Sequence, residues 1–129
     1  MLLIYLDENA RSEPERTQCY QDSAAYARSL HACGKYLAAG PLQPTSTATT
    51  VRSQGGKRMI TDGPFAETRE QLGGYFLVEA ANLDEAIKIA GEIPAGRKGA
   101  VEIRPLMQIS GLPVQPQAAS VTVDRAMKP

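Results

Sequence analysis

The chain opens with a run in which every residue is apolar, and a second, nearly apolar run lies in its middle. These runs cover residues 2–6 and 75–80. They predict β-strands, and a strand that is apolar on both alternating faces is covered on both sides. Further strands are predicted from a short apolar segment at 36–39, a Thr- and Val-rich segment at 46–53 and strict alternation at 101–104.

Two segments with apolar residues at helical spacing predict helices. The first covers residues 13–33, where Ser12 is a suitable N-cap and is followed by a proline and a glutamate in the first turn. Gly34 then suits a left-handed helix stop. The second helix follows Asn82, another residue typical of an N-cap, and ends before a proline.

The order of these elements indicates a fold class. Gly55 and Gly56 predict a hairpin turn between the Thr-rich strand and an antiparallel partner at 57–61. The order is then strand, long helix, strands, strand, helix, strand, which is the α+β, ferredoxin-like split βαβ pattern with an inserted β-hairpin. Its two helices pack on one face of an antiparallel sheet. Because the other face is also apolar, we expect a homodimer in which two sheets face each other.

Length and composition indicate one domain with a tail. The chain has 129 residues, of which 43% are hydrophobic and 22% are charged, as in ordinary globular proteins. After residue 107 the composition shifts toward proline, glutamine and alanine, so the domain is placed at 1–107 and the tail at 108–129. Residues 121–123 are interpreted either as an extra edge strand or as part of an unordered terminus.

Charge and apolar run lengths exclude two classes of partner. The formal net charge is zero, so there is no basic excess to neutralise nucleic-acid phosphates. No run approaches the ~20 apolar residues of a membrane helix, and residues 2–6 lack the basic leader of a signal peptide. We therefore expect a cytoplasmic protein that binds neither nucleic acid nor membrane.

The two cysteines give no sign of a disulfide or a metal site. Cys19 and Cys33 lie on one predicted helix, about 21 Å apart along its axis, whereas a disulfide needs Cα atoms within ~7 Å. They do not form a CxxC motif, and with a single histidine the chain has no zinc ligand set. They are interpreted as small buried hydrophobes, and no metal or cofactor is expected.

The stretch 61–74 lies between two strand-like segments. It contains a turn cluster, then charged residues, then paired glycines. The cluster has the sequence DGPFAE at 62–67, and EQLGGY follows at 70–75. This stretch resembles the DGPF signature of the YCII-related protein family, and the likeness extends over about residues 1–107. The resemblance implies a ferredoxin-like fold and a dimeric α/β barrel. Some related proteins are similar to modules encoded with, or fused to, extracytoplasmic-function sigma factors.

The signature stretch supplies the first candidate site residue. Asp62 precedes Gly63 and Pro64, whose rigid turn holds a carboxylate in one place for acid/base chemistry or for a cationic ligand group. The alternative is that Asp62 only caps the turn. His31, near the end of the first helix, is a second catalytic candidate. Its alternative is a surface histidine that is favoured by the helix dipole.

The other candidates are polar residues near strand ends, where they would line a cleft. Arg52 and Arg104 would hold an anionic ligand group by a two-pronged contact, and the alternative is that they are exposed edge charges. Glu67 and Tyr5 complete the predicted ligand-binding set, and Glu67 has a solvated loop as its alternative. The predicted partners are a second copy of the chain and a small-molecule ligand.

The resemblance also bears on catalysis. It implies a His–Asp pair in YCII-type proteins, with the histidine in the first helix. Counting back from Gly34 and Gly40 places that position near residues 21–23, which are Gln, Asp and Ser. Three functions stay open: an acid/base enzyme that uses Asp62, a non-catalytic ligand-binding protein, and an interaction or regulatory module. A cofactor-free oxygenase is a fourth idea, from the barrel architecture alone. Ligand binding is favoured over catalysis.

Overall fold

The computed structural model describes residues 1–113 and contains two helices, a four-stranded sheet and a separate hairpin. The elements in chain order are β1 Leu2–Leu6, α1 Glu13–Ala32, β2 Tyr36–Pro41, β3 Thr49–Gln54, β4 Lys57–Asp62, β5 Gln71–Val78, α2 Leu83–Glu92 and β6 Gly99–Ile103. Short 3₁₀ turns at Thr45–Thr47 and Pro94–Lys98 precede β3 and β6. The predicted tail strand at 121–123 lies outside the described residues.

The main sheet has the strand order β2-β5-β1-β6, and all its pairs are antiparallel. β1 is a central strand, in which Leu3 is opposite Tyr75 of β5 and Glu102 of β6. With α1 after β1 and α2 after β5, this order is consistent with the predicted ferredoxin-like fold. The α+β class and the antiparallel sheet are confirmed, while the dimeric barrel stays a prediction.

Both helices pack on the same face of the sheet. The buried core combines strand and helix residues, namely Leu2, Ile4, Leu30, Phe76, Ile89, Ala90 and Ile93. Side chains alternate along a strand, so Leu3, Tyr5 and Leu77 point to the opposite face. We call this opposite surface, which neither described helix covers, the open face.

A tyrosine connects the two helices. The hydroxyl of Tyr26 in α1 donates a hydrogen bond to the backbone oxygen of Ile89 in α2, at 3.1 Å, and lies 3.3 Å from the Glu92 carboxylate. Burial and then the nearby Glu92 charge raise the pKa of Tyr26 to about 12. The contact fixes α1 against α2 near the C-terminal part of α1.

Local capping signals set the start of both helices, as predicted. The Ser12 hydroxyl accepts the backbone N–H of Glu15, and the Glu15 carboxylate accepts the backbone N–H of Ser12 at 3.0 Å, which makes a capping box. That backbone hydrogen bond, followed by contacts with Lys98, lowers the pKa of Glu15 to about 2. At α2 the Asn82 side chain accepts the backbone N–H of Glu85 at 2.9 Å.

The β3–β4 hairpin forms its own two-stranded sheet. Gly55 and Gly56 turn it with φ values of 57° and 78°, which glycine adopts without strain. Val51 is directly opposite Ile60, and these side chains are 57% and 64% exposed. The hairpin therefore presents an apolar pair that the core does not use.

Several strand boundaries differ from the prediction, and the starts of β3 and β5 differ most. β3 begins at Thr49 and not at residue 46, because the preceding residues form the 3₁₀ turn Thr45–Thr47. β5 begins at Gln71 and so includes the paired glycines, which the sequence placed just before the strand. A Cβ atom on Gly74 would lie 2.9 Å from the carbonyl oxygen of Gly40 in β2. The backbones of β2 and β5 therefore approach each other closely at Gly74.

Candidate functional site

A cavity of about 790 Å³ lies between α1 and the helix-covered face of the sheet. We call it the helix cavity. Its walls come mainly from β1, α1, β2 and β5 and include Ile4, Leu6, Cys19, Ser23, Ala24, Ala27, Arg28, Tyr36, Ala39, Gly40, Gly74 and Phe76. Its volume is within the roughly 300–1,000 Å³ range of small-molecule sites.

The cavity exists because small side chains face each other across the gap. α1 reaches the core through Tyr26, Ala27 and Leu30, toward its C-terminal end. One and two turns earlier the same side of the helix carries Ser23 and Cys19, which are too short to fill the space above the sheet. The helix is therefore held at its end while its middle stands over open space.

Ser23 carries an unused polar atom at this cavity. Its hydroxyl oxygen is shielded from solvent and has no hydrogen-bond partner among residues 1–113. Leaving a buried polar group unpaired costs about 1–3 kcal/mol. One turn earlier, Cys19 is a half-buried free thiol. Both residues border the cavity, and rotation of the Ser23 side chain would turn its hydroxyl toward a molecule there. Ser23 also lies at the position, near residues 21–23, where the family resemblance places a histidine.

A carboxylate clamp lies at one end of the cavity. Glu8 accepts hydrogen bonds from the backbone N–H and the hydroxyl of Thr45, at 2.8 and 2.5 Å. It thereby ties the segment after β1 to the 3₁₀ turn before β3. Both residues border the helix cavity, so the clamp fixes this part of its wall.

A second, smaller space of about 470 Å³ lies beside the DGPF stretch. We call it the signature groove. It is bordered by Tyr5 and Leu72, which are opposite each other in the β1–β5 ladder, and by Pro64, Phe65 and Ala66 of the signature. Since Tyr5 points away from the helices, this groove lies on the open-face side of the sheet. The segment that includes Thr45 separates it from the helix cavity.

The signature loop is held by backbone and amide contacts. Gly63 has φ 102° and donates its N–H to the oxygen of Ala48 at 2.8 Å. The side-chain amide of Gln71 donates to the backbone oxygens of Ala66 and Thr68, at 2.9 and 2.7 Å. Within residues 1–113 the exposed carboxylate of Asp62 accepts no hydrogen bond. The structure thus gives no support to Asp62 as a cap of this turn.

The two predicted catalytic residues lie on different elements. Asp62 is the exposed last residue of β4 and borders neither the helix cavity nor the signature groove. His31 is exposed in the last turn of α1, where its ring is edge-on to that of Tyr36 at a centroid distance of 6.1 Å. Within one chain they do not form a site, and their catalytic roles stay predictions.

The predicted ligand-binding residues are also dispersed. Tyr5 borders the signature groove, and the Arg52 guanidinium lies 4.6 Å from the centre of the Phe65 ring, a cation–π distance. Glu67 is exposed in the loop. Arg104 forms an ion pair of 2.6 Å with Glu102, and this contact raises the pKa of Arg104. Their ligand-binding roles stay predictions too.

The residues around the helix cavity were missed as site residues. Cys19 and Ser23 are one helical turn apart, and the spacing continues to Ala27. Small residues at this spacing are also typical of closely packed helices. Only the residues on the opposite wall show whether the helix borders a cavity or packs against the sheet. That wall depends on Ala39 and Gly74, which are distant in sequence.

The described part of the chain has neither a cluster of metal ligands nor a helix suited to a membrane. In residues 1–113, no three or more His, Cys, Asp or Glu residues are grouped so that they could hold a metal ion. No helix in that range combines the length and the apolar character that a bilayer span requires.

Comparison with known proteins gives the family. The chain matches the YCII-related domain over residues 1–110, which is most of its length. The chain belongs to the YCII-related family. The resemblance found at the DGPF stretch is thereby confirmed. The uncharacterised protein R00369 of Rhizobium meliloti (strain 1021) is 38% identical to this chain over 110 residues, and the match covers 81% of this chain and 89% of that protein.

Proposed function

We propose that this YCII-related protein binds a small organic molecule in the helix cavity. The observation that carries the proposal is the space of about 790 Å³ beneath α1, with the buried, unpaired Ser23 oxygen at its wall. Close-packed interiors contain few voids larger than a water molecule. A concave, partly open space of this size is therefore a candidate for occupation by a ligand, and polar atoms in its wall would orient that ligand.

Ligand binding is better supported than acid/base catalysis. The carboxylates nearest the cavity already have donors, since Glu8 is held by Thr45 and Asp7 lies 3.5 Å from Arg69. Asp62 is opposite Thr49 at the base of the hairpin and does not border the helix cavity. An acid/base role for Asp62 would need a second subunit to close a cleft over it.

We further propose a cytoplasmic homodimer that pairs through the open face. Leu3 and Tyr5 on this face are half-buried, and Leu72 beside them is 40% exposed. An isolated two-stranded hairpin is marginally stable in water, and the exposed Val51–Ile60 pair would be covered in a dimer. The same apolar pair also favours the alternative, a non-catalytic interaction or regulatory module associated with extracytoplasmic-function sigma factors.

A thermal-shift screen against a metabolite panel tests the ligand proposal. A ligand at about 100 times its Kd adds ~2.7 kcal/mol of stability. Ala27→Phe puts a ring into the helix cavity, and Ala25→Phe makes the same change at an exposed position of α1 outside it. We expect hits that are kept in Ala25→Phe and in Asp62→Asn and are lost in Ala27→Phe.

Two other results would contradict this assignment. Hits that are lost in Asp62→Asn but kept in Ala27→Phe would move the site to the signature loop. A complete absence of hits would favour the interaction-module alternative, and a protein partner would then be sought.

A further inference from the structure

The charged side chains around the helix cavity are not equally available to a ligand. Those at its border are Asp7, Glu8, Arg11, Arg16 and Arg28. Glu8 is held by two hydrogen bonds from Thr45. Asp7 accepts the backbone N–H of Asn9 at 2.9 Å and lies 3.5 Å from Arg69. Both carboxylates are therefore engaged by neighbours.

The arginines have hydrogen-bond donors to spare. Arg11 donates to the backbone oxygen of Ala95 at 3.3 Å, and Arg16 donates to that of Glu8 at 3.4 Å. Arg28 has no hydrogen-bond or ion-pair partner among residues 1–113. A guanidinium carries five N–H donors and accepts none. The unused hydrogen-bonding capacity at the cavity border is therefore cationic, and it is greatest at Arg28.

Arg28 borders the same cavity as Ser23 but lies about 140° further around α1. It follows Ala27 directly and is five residues from Ser23, about 7.5 Å along the helix axis. Across the gap the wall is formed by apolar side chains that include Ile4 and Phe76. A bound molecule would thus meet apolar surface along its length and a cation at the exposed rim, where Arg28 lies.

We infer that the ligand is an organic monocarboxylate with an apolar body, and that Arg28 binds its carboxylate. This inference rests on the proposed ligand binding in the helix cavity. A planar guanidinium matches the two oxygens of a carboxylate in a two-pronged contact. Three arginines and two carboxylates border the cavity, which leaves one net positive charge there and suits a ligand with one negative charge. The Ser23 hydroxyl offers a contact for a hydroxyl or carbonyl group on the ligand body.

Ligands that share a body but differ in charge test this inference. The probes are octanoate, octanol and octylamine, and hydrocinnamate with its alcohol and amine, each below its micellar concentration. Isothermal calorimetry at low ionic strength gives the affinities. For at least one body we expect the carboxylate to bind about tenfold more tightly than the alcohol, and the amine to bind most weakly. Added salt should reduce the preference for the carboxylate.

Variants connect the charge preference to Arg28. Arg28→Gln should bring the carboxylate down to the affinity of the alcohol and leave the alcohol unchanged. Arg28→Lys keeps the positive charge but cannot make the two-pronged contact, so it should retain part of the preference for the carboxylate over the alcohol. Arg97→Gln removes an exposed arginine that does not border the cavity and should behave as the wild type. Far-UV circular dichroism checks that each variant is folded.

The outcomes distinguish a failure of the carboxylate inference from a failure of the proposed binding in the helix cavity. Equal affinities for carboxylate and alcohol, or a preference that survives Arg28→Gln, would overturn the carboxylate inference while binding in the cavity stands. If no probe binds, or if binding is unaffected by Ala27→Phe, the proposed function fails along with it.

Discussion

Gly74→Ala tests whether the second glycine of the signature is required by strand spacing. Gly74 lies in β5 opposite Ile4 of β1 and Pro41 of β2. A Cβ atom there would lie 2.9 Å from the Gly40 carbonyl oxygen and 3.2 Å from the Pro41 Cα atom. Both are backbone atoms, so no side chain can rotate away. Gly74 is not among the glycines with positive φ, and the cost of the methyl group is therefore steric.

The expected cost is that of overpacking a well-packed interior, about 1–3 kcal/mol. At roughly 4 °C per kcal/mol for a domain of this length, the midpoint of thermal unfolding should fall by about 4–12 °C. Gly91→Ala in α2 is the matched control, because no heavy atom lies within 4 Å of its added Cβ. This change should raise stability by about 0.4–1 kcal/mol.

Urea unfolding followed by far-UV circular dichroism measures both variants against the wild type. We expect midpoint shifts of opposite sign with unchanged m-values. A Gly74→Ala protein that is as stable as the wild type would show that β2 and β5 can separate freely, and the steric argument would be wrong. If Gly91→Ala loses as much stability as Gly74→Ala, the loss is general and carries no information about strand spacing.

Four further predictions follow from contacts described above. The pKa of Glu15 is about 2 in the folded chain and 4.5 ordinarily, so wild-type stability should fall more steeply than that of Glu15→Gln as the pH drops from 4.5 to 2. The pKa of Tyr26 is raised from 10.0 to about 12, so stability should fall as the pH rises from 10 to 12, and urea titrations of Tyr26→Phe should lack this loss. Saturating octanoate should slow iodoacetamide labelling of Cys19 but not of the exposed Cys33, as measured by mass spectrometry; equal protection of both thiols would argue against occupation of the cavity. Leu3→Asp places a charge on the open face, so light scattering at micromolar concentration should show a folded monomer in place of the wild-type dimer, and a monomeric wild type would contradict the homodimer.

The elements that could be predicted are those fixed by neighbouring residues. Ser12 and Asn82 cap their helices through contacts three residues away, and Gly55 and Gly56 turn the hairpin by their own φ values. The start of β5 was placed too late, because glycines weaken a strand on local grounds. Only the pairing with β2 shows that a side chain has no room at Gly74.

The helix cavity could not be predicted, because it depends on which residues face each other after folding. Cys19, Ser23 and Ala27 would have the same spacing if large side chains from the sheet filled the gap. Likewise, the glycine turn predicts the hairpin that carries Arg52, but nothing local indicates that this hairpin forms a sheet of its own. Polar residues at predicted strand ends were therefore grouped into one cleft, although the structure of the single chain disperses them.

The place of β1 in the sheet has a consequence for synthesis on the ribosome. Its residue Leu2 is opposite Phe76 in β5 and Ile103 in β6, and both neighbours are translated long after it. α1 and the β3–β4 hairpin can form from local contacts while β1, apolar along its whole length, has no partner strand. Pairings of such long sequence separation slow folding and leave strand edges open to other chains. We therefore expect the nascent chain to depend on chaperones that shield its first strand until β6 has emerged.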